Sequence, residues 1–394
     1  MAGLRARTTD PEAGYDRRLE RRLRPLLPVA VERGCRIVSN LGSANPAAAA
    51  RATARLAREL GLDLQVAAVV GDDCSDRVGE IEWTREIEGT LLGAHAYLGS
   101  EAIAEALHGG ADVVLTGRCA DSALFLAPVM SMLDADPDAV AGALAVGHLL
   151  ECGAQVTGGN YEPPGAPGLD AESLARIGFP LAQVAPDGSA ELFVLDGAPA
   201  MLDPISCTLQ LFYEVHDPSA YITPDGTLDF TGISFEELGH NRVRVSGARL
   251  VGRPERLKVS GFVERPGTVI DVEISYAGSG ALERARRAAA ELRLRLDGFG
   301  PGELLVDLVG VDSVLGRRSP ELRADPPEVR VHVSAVCPDA ERADDVEDEV
   351  IGLTVAGPAG AGGIRSERRP RVEAVDGFVD RAAMHPTVYW GEAR

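Results

Sequence analysis

Three short stretches hold acids, amides and an arginine that a buried fold does not need: "SNLGSANP" (39–46), "GDDCSD" (71–76) and "TGRCADS" (116–122). A fourth, "HLLECGAQVTGGNYEPPG" (148–165), packs a histidine, a carboxylate, a thiol, an amide, a hydroxyl and glycines between His148 and Asn160. Arg118 carries a planar fork suited to a carboxylate or phosphate. An ion pair with Asp121 that only holds the loop is the plainer alternative. Cys119 would be a nucleophile if a base lay near, and a passive thiol otherwise. Asp72 and Asp73 can act as a base or hold a magnesium ion, or serve as a turn cap. Asn40 and Asn45 offer amides beside a helix start that can cradle an anion, although capping by Asn45 explains part of that pattern.

Other chemistries leave weaker marks. "GPAGAGG" (357–363) lacks the Lys-Ser/Thr ending of a P-loop. No GxSxG elbow and no kinase "HRD" or "DFG" occurs. The seven histidines show neither HxH nor HExxH spacing, so no metal site is expected. His95 and His148 stand nearest the polar loops, and a structural role is the plainer reading for each. Lys258 is the only lysine, and "RLKVSG" around it reads as an ordinary strand rather than a Schiff-base site. The six cysteines form no CxxC pair and read as free, mostly buried thiols.

The elements that must position these residues follow from patterning. "CRIVSNLG" (35–42), "LQVAAVVGDD" (64–73) and "ADVVLTGRCAD" (111–121) are apolar runs with polar exits, read as strands. Segments 45–62, 100–110 and 139–153 read as helices between or after them. Strand, polar loop and helix in alternation predict a parallel sheet, whose ligands bind beyond the carboxyl ends of the strands. The three polar exits should therefore converge on one edge. After about residue 200 the pattern changes. "TLQLFYEVHDPSAYITPDGTLDF" reads as strands and turns, and "LKVSGFVERPGTVIDVEISYAG" as two strands joined at Pro-Gly. Segment 279–300 reads as a helix capped by Ser279. The fold class expected is α/β, with a parallel βαβ N-terminal half and an α+β second half packed against it. Its divisions are a charged lead-in (1–28), an α/β domain (29–200) and an α+β domain (201–394).

Net charge is -21, with 39 basic and 60 acidic residues. That field disfavours nucleic acid and anionic membranes as partners. No apolar run reaches the length of a membrane span, and the arginine-rich start has no signal-peptide core, so a cytoplasmic protein is expected.

Taken together, "VSNLGSANP", "VVGDD", "TGRCADSAL", "GHLLECGAQVTGGNY", "DPSAYITPD", "EISYAGSGALERAR" and "GPAGAGG", in that order, resemble the acyclic terpene utilisation protein A family over about residues 29–375. The resemblance implies a part in bacterial breakdown of citronellol- and geraniol-type acids as coenzyme A thioesters. By position it carries polar motif residues onto Asn40, Asn45, Asp72, Asp73, Tyr97, Arg118, Asp121, Glu151, Cys152, Gln155, Thr157, Asn160, Asp217 and Tyr221. It also implies departures: a shortened N-terminus in place of a glycine-rich first strand, and no C-terminal ferredoxin-like domain.

The function expected is acid–base lyase or hydratase chemistry on a small branched acyl or carboxylic substrate, with specialised metabolism as its setting. Glu151, Asp121 and Asp73 are the catalytic candidates. Asn40, Asn45, Asp72, Tyr97, Arg118, Gln155, Thr157 and Asn160 are the substrate-binding candidates. No cofactor is expected, with coenzyme A entering only as part of the substrate. A non-catalytic subunit that docks on a pathway enzyme is the second reading, and a nucleotide-dependent enzyme built on "GPAGAGG" and "GDD" is the third; the partners expected are the small-molecule substrate and either a second copy of the chain or a pathway partner protein.

Overall fold

The computed structural model describes residues 2–163, 165–300, 303–316 and 326–391. They form two compact units. The first comprises Met1–Arg85, Leu92–Gly261 and Val375–Arg394, and the second Glu86–Leu91 and Phe262–Ala374. Residues on both sides of position 200 thus lie in the first unit.

The expected α/β sheet is present in the first unit. Strands Ile37–Ser39, Val113–Thr116, Val66–Val70 and Thr387–Trp390 lie side by side in that order. The first three run parallel and the last is an antiparallel edge. "VAAVV" and "VVLT" are buried almost throughout, as a sheet covered on both faces requires. Helix Pro46–Glu59 follows the first strand, with Asn45 accepting from the Ala48 amide and Pro46 in the first turn. Helix Glu101–His108 precedes the strand Val113–Thr116. Helix Pro137–Glu151 is apolar nearly all round, and it packs in a core with strands Ala190–Phe193 and Arg242–Ser246.

The charged lead-in 1–28 is largely helical, which the sequence reading did not assign. It contains helix Ala2–Thr9 and most of helix Leu19–Arg33. Pro25 and Pro28 inside the second helix hide it from patterning. Leu19, Leu23 and Leu27, spaced by four, are fully buried against Ala49, Leu56 and the sheet. Their burial, about 1.5–3 kcal/mol each, is similar in size to the cost of two interior prolines, about 3 kcal/mol each.

"TLQLFYEV" is likewise no strand at its start. Helix Pro204–Phe212 is fixed by a capping box in which Asp203 accepts from Ser206 while the Ser206 hydroxyl bonds the Asp203 amide. The supposed Pro-Gly break is absorbed within one strand, Arg256–Ala277, where Gly267 takes φ +106°. The cap of helix Ala281–Arg295 is Gly280 in the left-handed region, not Ser279.

The second unit corrects a further expectation. Its elements run strand (Arg256–Ala277, from Phe262 on), helix (Ala281–Arg295), strands (Leu304–Val309 and Glu328–Cys337), helix (Ala340–Ala356), strand (Ala361–Asp380, as far as Ala374). In the sheet these strands take the order second, third, first, fourth. This is the ferredoxin-like βαββαβ arrangement. It lies within the chain, built by "EISYAGSGALERAR" and the acidic helix, with Ile270, Ile274, Leu292, Val331 and Val350 in its core. "GPAGAGG" leads from the end of the second helix of this unit into its last strand, where Arg284 holds the Ala359 carbonyl at 2.7 Å. A helix C-terminus presents carbonyls, the wrong polarity for a phosphate.

No described helix is long and apolar enough to cross a membrane.

Candidate functional site

The three polar strand exits meet in the first unit as the parallel sheet requires. A Cβ on Gly42 would stand 2.4 Å from the Thr116 carbonyl oxygen, and one on Gly117 2.4 Å from Asp72 Oδ2. Asp72 Oδ2 accepts from the Arg118 amide at 2.8 Å and lies 2.9 Å from His95 Nδ1. Both side chains are buried, and His95 Nε2 has no hydrogen-bond partner among the described residues. Asp72 therefore sets the loop after strand Val113–Thr116.

That loop opens on a cavity of about 290 Å³ within the first unit. Three acids line it, Asp121, Glu151 and Glu214, together with the cations Arg256 and Lys258. Tyr97, Ser122 and Tyr221 add hydroxyls, and Ile222, Leu257 and Phe378 give apolar wall. The size lies at the lower end of ligand pockets. Arg118 and Lys258 both sit against the Tyr97 ring, 5.1 and 5.6 Å from its centre. Arg256 stacks on Phe378 at 5.2 Å and pairs with Glu82.

The acids influence one another. Desolvation by the cavity walls raises the pKa of the Asp121 carboxyl, the Glu151 and Glu214 charges raise it further, and Arg118 opposes them. Asp121 itself is exposed, so solvent screens part of this effect. Burial and the same three acids hold the Tyr221 hydroxyl protonated well above the ordinary tyrosine range. Glu214 sits at φ +62°, a left-handed backbone that a non-glycine residue adopts only under local constraint.

Behind Glu151 lies His148, fully buried. Its Nε2 is 3.1 Å from the Leu211 carbonyl oxygen, and its Nδ1 is 3.1 Å from Glu151 Oε1 and 3.4 Å from the Tyr221 hydroxyl. Tyr221 and Phe230 flank the imidazole with ring centres 5.0 and 6.1 Å away.

The structure thus gathers Tyr97, Asp121 and Glu151 at one cavity, with Arg118 against Tyr97. The other candidates have different placements. Asp73 accepts from the Ser75 amide and hydroxyl and pairs with Arg7 at 2.8 Å. Burial works against its charge, but Ser75, His95 and Arg7 outweigh it and lower its pKa. Asn45 is spent on its cap and on the Pro11 and Ala13 carbonyls. Thr157 donates to the Gly178 and Ala154 carbonyls. Asn40 is exposed, Gln155 ends a short 3-10 helix, and Asn160 is an exposed residue at φ +58°. None of these five, and neither Asp72 nor Asp73, is among the residues lining the cavity. Asp217 caps the turn at Ser219.

Sequence reasoning left out Glu214, Arg256, Ser122 and Lys258 from the site, and gave His148 a structural role. Two signals pointed to this group. Lys258 is the only lysine of the chain, and the "DPSAYITPD" motif ends its first half at Tyr221.

No curated protein matches the chain. Among solved structures, it is similar to protein SO0527 from Shewanella oneidensis, with 15% identity over 28% of this chain and 97% of that one and a TM-score of 0.18. The family model described as acyclic terpene utilisation family protein AtuA matches residues 1–390. It takes in the N-terminal helices that the sequence resemblance left out, and the chain belongs to the acyclic terpene utilisation family.

Proposed function

We propose that the cavity of the first unit is an acid–base site for a small branched acyl or carboxylic substrate, and that the reaction is loss or addition of water. The observation that carries this reading is the lining of one small cavity by the acids Asp121, Glu151 and Glu214 together with the cations Lys258 and Arg256. Lys258 and Arg256, with Arg118 behind Tyr97, hold the acid or thioester oxygen. Glu151 takes the proton from the carbon next to that group. Asp121, whose raised pKa favours its protonated form, gives a proton to the departing hydroxyl. The hydrogen and hydroxyl leave as water and a carbon–carbon double bond forms. Addition of water is the same path reversed. A coenzyme A moiety is too large for about 290 Å³ and lies outside the cavity.

Thermal-shift screening of branched acids and their coenzyme A thioesters identifies the ligand. Turnover is then followed for Glu151→Gln and Asp121→Asn. Each is expected to lose about a hundredfold or more in kcat. Full turnover by both variants would remove the acid–base assignment.

A further inference from the structure

We infer that His148 is a positioning residue that serves Glu151 as a buried proton acceptor, so that the cavity acid is backed by a relay rather than acting alone. The inference rests on the acid–base reading of the cavity, and it begins from the hydrogen-bond inventory of the ring. The Leu211 carbonyl 3.1 Å from Nε2 can only accept, so Nε2 carries a proton. In the neutral ring Nδ1 is then a lone pair. The Tyr221 hydroxyl, kept protonated by its surroundings, donates to it at 3.4 Å. Glu151 Oε1 reaches the same nitrogen at 3.1 Å, the shorter of the two approaches.

An ionised carboxylate so close to a nitrogen lone pair in a nearly dry setting repels it. A proton taken up by the pair, on Oε1 or on Nδ1, relieves that repulsion. The ring cannot turn away from this role. Tyr221 and Phe230, stacked on each other with ring centres 5.2 Å apart, pack against it, Nε2 is held at the Leu211 carbonyl, and the main-chain oxygen of His148 receives the Gln210 amide at 3.3 Å. The tautomer is therefore fixed by the fold, not chosen by the substrate.

The step balances. Glu151 takes a proton from substrate carbon and becomes a carboxylic acid. Its O–H bond breaks as Nδ1 of His148 gains the proton, giving an imidazolium that still donates from Nε2 to Leu211. Glu151 is a carboxylate again. When product leaves, the proton returns through Glu151 and, by exchange with solvent, restores the one that Asp121 gave to the departing hydroxyl. Cys152, at the end of the same helix, is kept protonated chiefly by burial and adds no charge.

The test is nitrogen NMR of the full chain carrying ¹⁵N-histidine, with no substrate present. The His148 signals are assigned as those missing from His148→Asn, and by through-bond correlation should that variant not fold. In the wild type Nε2 is expected to be protonated at every pH, while Nδ1 passes from acceptor to protonated as pH falls. In Glu151→Gln that passage is expected to move to lower pH, and in Tyr221→Phe to move by less. A proton on Nδ1 alone at high pH, or a passage unmoved by Glu151→Gln, would overturn the relay. The readout needs no turnover, so it separates from the parent reading. A moved resonance with undiminished kcat in Glu151→Gln sinks the acid–base assignment alone. An unmoved resonance with lost kcat sinks the relay alone.

Discussion

Asp72 and His95 meet at 2.9 Å, Oδ2 to Nδ1, both buried where two strands leave the parallel region of the first unit. The same oxygen accepts the Arg118 amide at 2.8 Å. One carboxylate thus fixes an imidazole and the backbone of the loop that leads to Asp121. The pair is a strut behind the cavity, since neither residue lines it.

Removing Asp72 should therefore damage stability before chemistry. Asp72→Ala strands a buried ring nitrogen and a buried amide and is expected to cost about 3–5 kcal/mol. Asp72→Asn should cost less, because one amide oxygen can still accept from both donors. Urea unfolding of Asp72→Ala, His95→Ala and the double variant gives the coupling. It should be on the order of 1 kcal/mol or more. Strict additivity would show that the two side chains do not support one another.

Gly117 tests the same packing from the other side. Its added Cβ would stand 2.4 Å from Asp72 Oδ2, and the other carboxylate oxygen would be only 2.6 Å away. Gly117→Ala must push the carboxylate off His95 or shift the loop. An overpacking cost of about 1–3 kcal/mol is expected. The check is the urea midpoint at constant m-value, and an unchanged midpoint would contradict the close approach.

What could be read in advance was governed by the range of the forces involved. The strands "VAAVV" and "VVLT" and the capped helix after Asn45 are local patterns, and they appear where patterning puts them. The convergence of 39–46, 71–76 and 116–122 followed from one topological rule. Helix Leu19–Arg33 was illegible because its prolines contradict a helix locally, and only the tertiary burial of three leucines overrides them. The ferredoxin-like unit was missed because one long strand with an internal Pro-Gly looks like a hairpin in sequence. At the site, Asp121 and Glu151 were legible as polar residues at element ends. Glu214, Arg256 and Lys258 come from segments more than 60 residues further along the chain than Glu151, and only the folded chain brings them to it.

Asp121 should show the stability signature of a site residue. Its folded-state pKa is raised, so the folded chain binds this proton more tightly than the unfolded one. Stability from this group is therefore fully present below the ordinary carboxylate value. It is lost as pH rises from there through the raised value, and stays lost at neutral pH. Asp121→Asn removes the charge that the cavity disfavours. It should raise Tm at neutral pH by only about 1 °C, because solvent screens an exposed group. The gain should vanish below the ordinary carboxylate range. Differential scanning calorimetry across that range decides it, and a variant less stable at neutral pH would reverse the sign.

Thiol chemistry offers the sharpest contrast within the chain. Burial pushes Cys74, Cys119 and Cys207 each up to about 12, with the Asp73 and Asp72 charges adding to the effect at Cys74. At Cys119 the contact to the Thr116 hydroxyl, 3.3 Å away, opposes burial without cancelling it. Such thiols hold roughly a thousandfold less thiolate at neutral pH than an ordinary cysteine. Cys35 is exposed and Cys152 half-buried. Iodoacetamide at neutral pH, followed by intact-mass and peptide analysis, should therefore modify Cys35 first and Cys152 slowly. Cys74, Cys119 and Cys207 should react only after unfolding. Modification of Cys119 in the folded chain as fast as Cys35 would restore it as a candidate nucleophile beside Arg118 and Asp121, and would reopen covalent catalysis for this cavity.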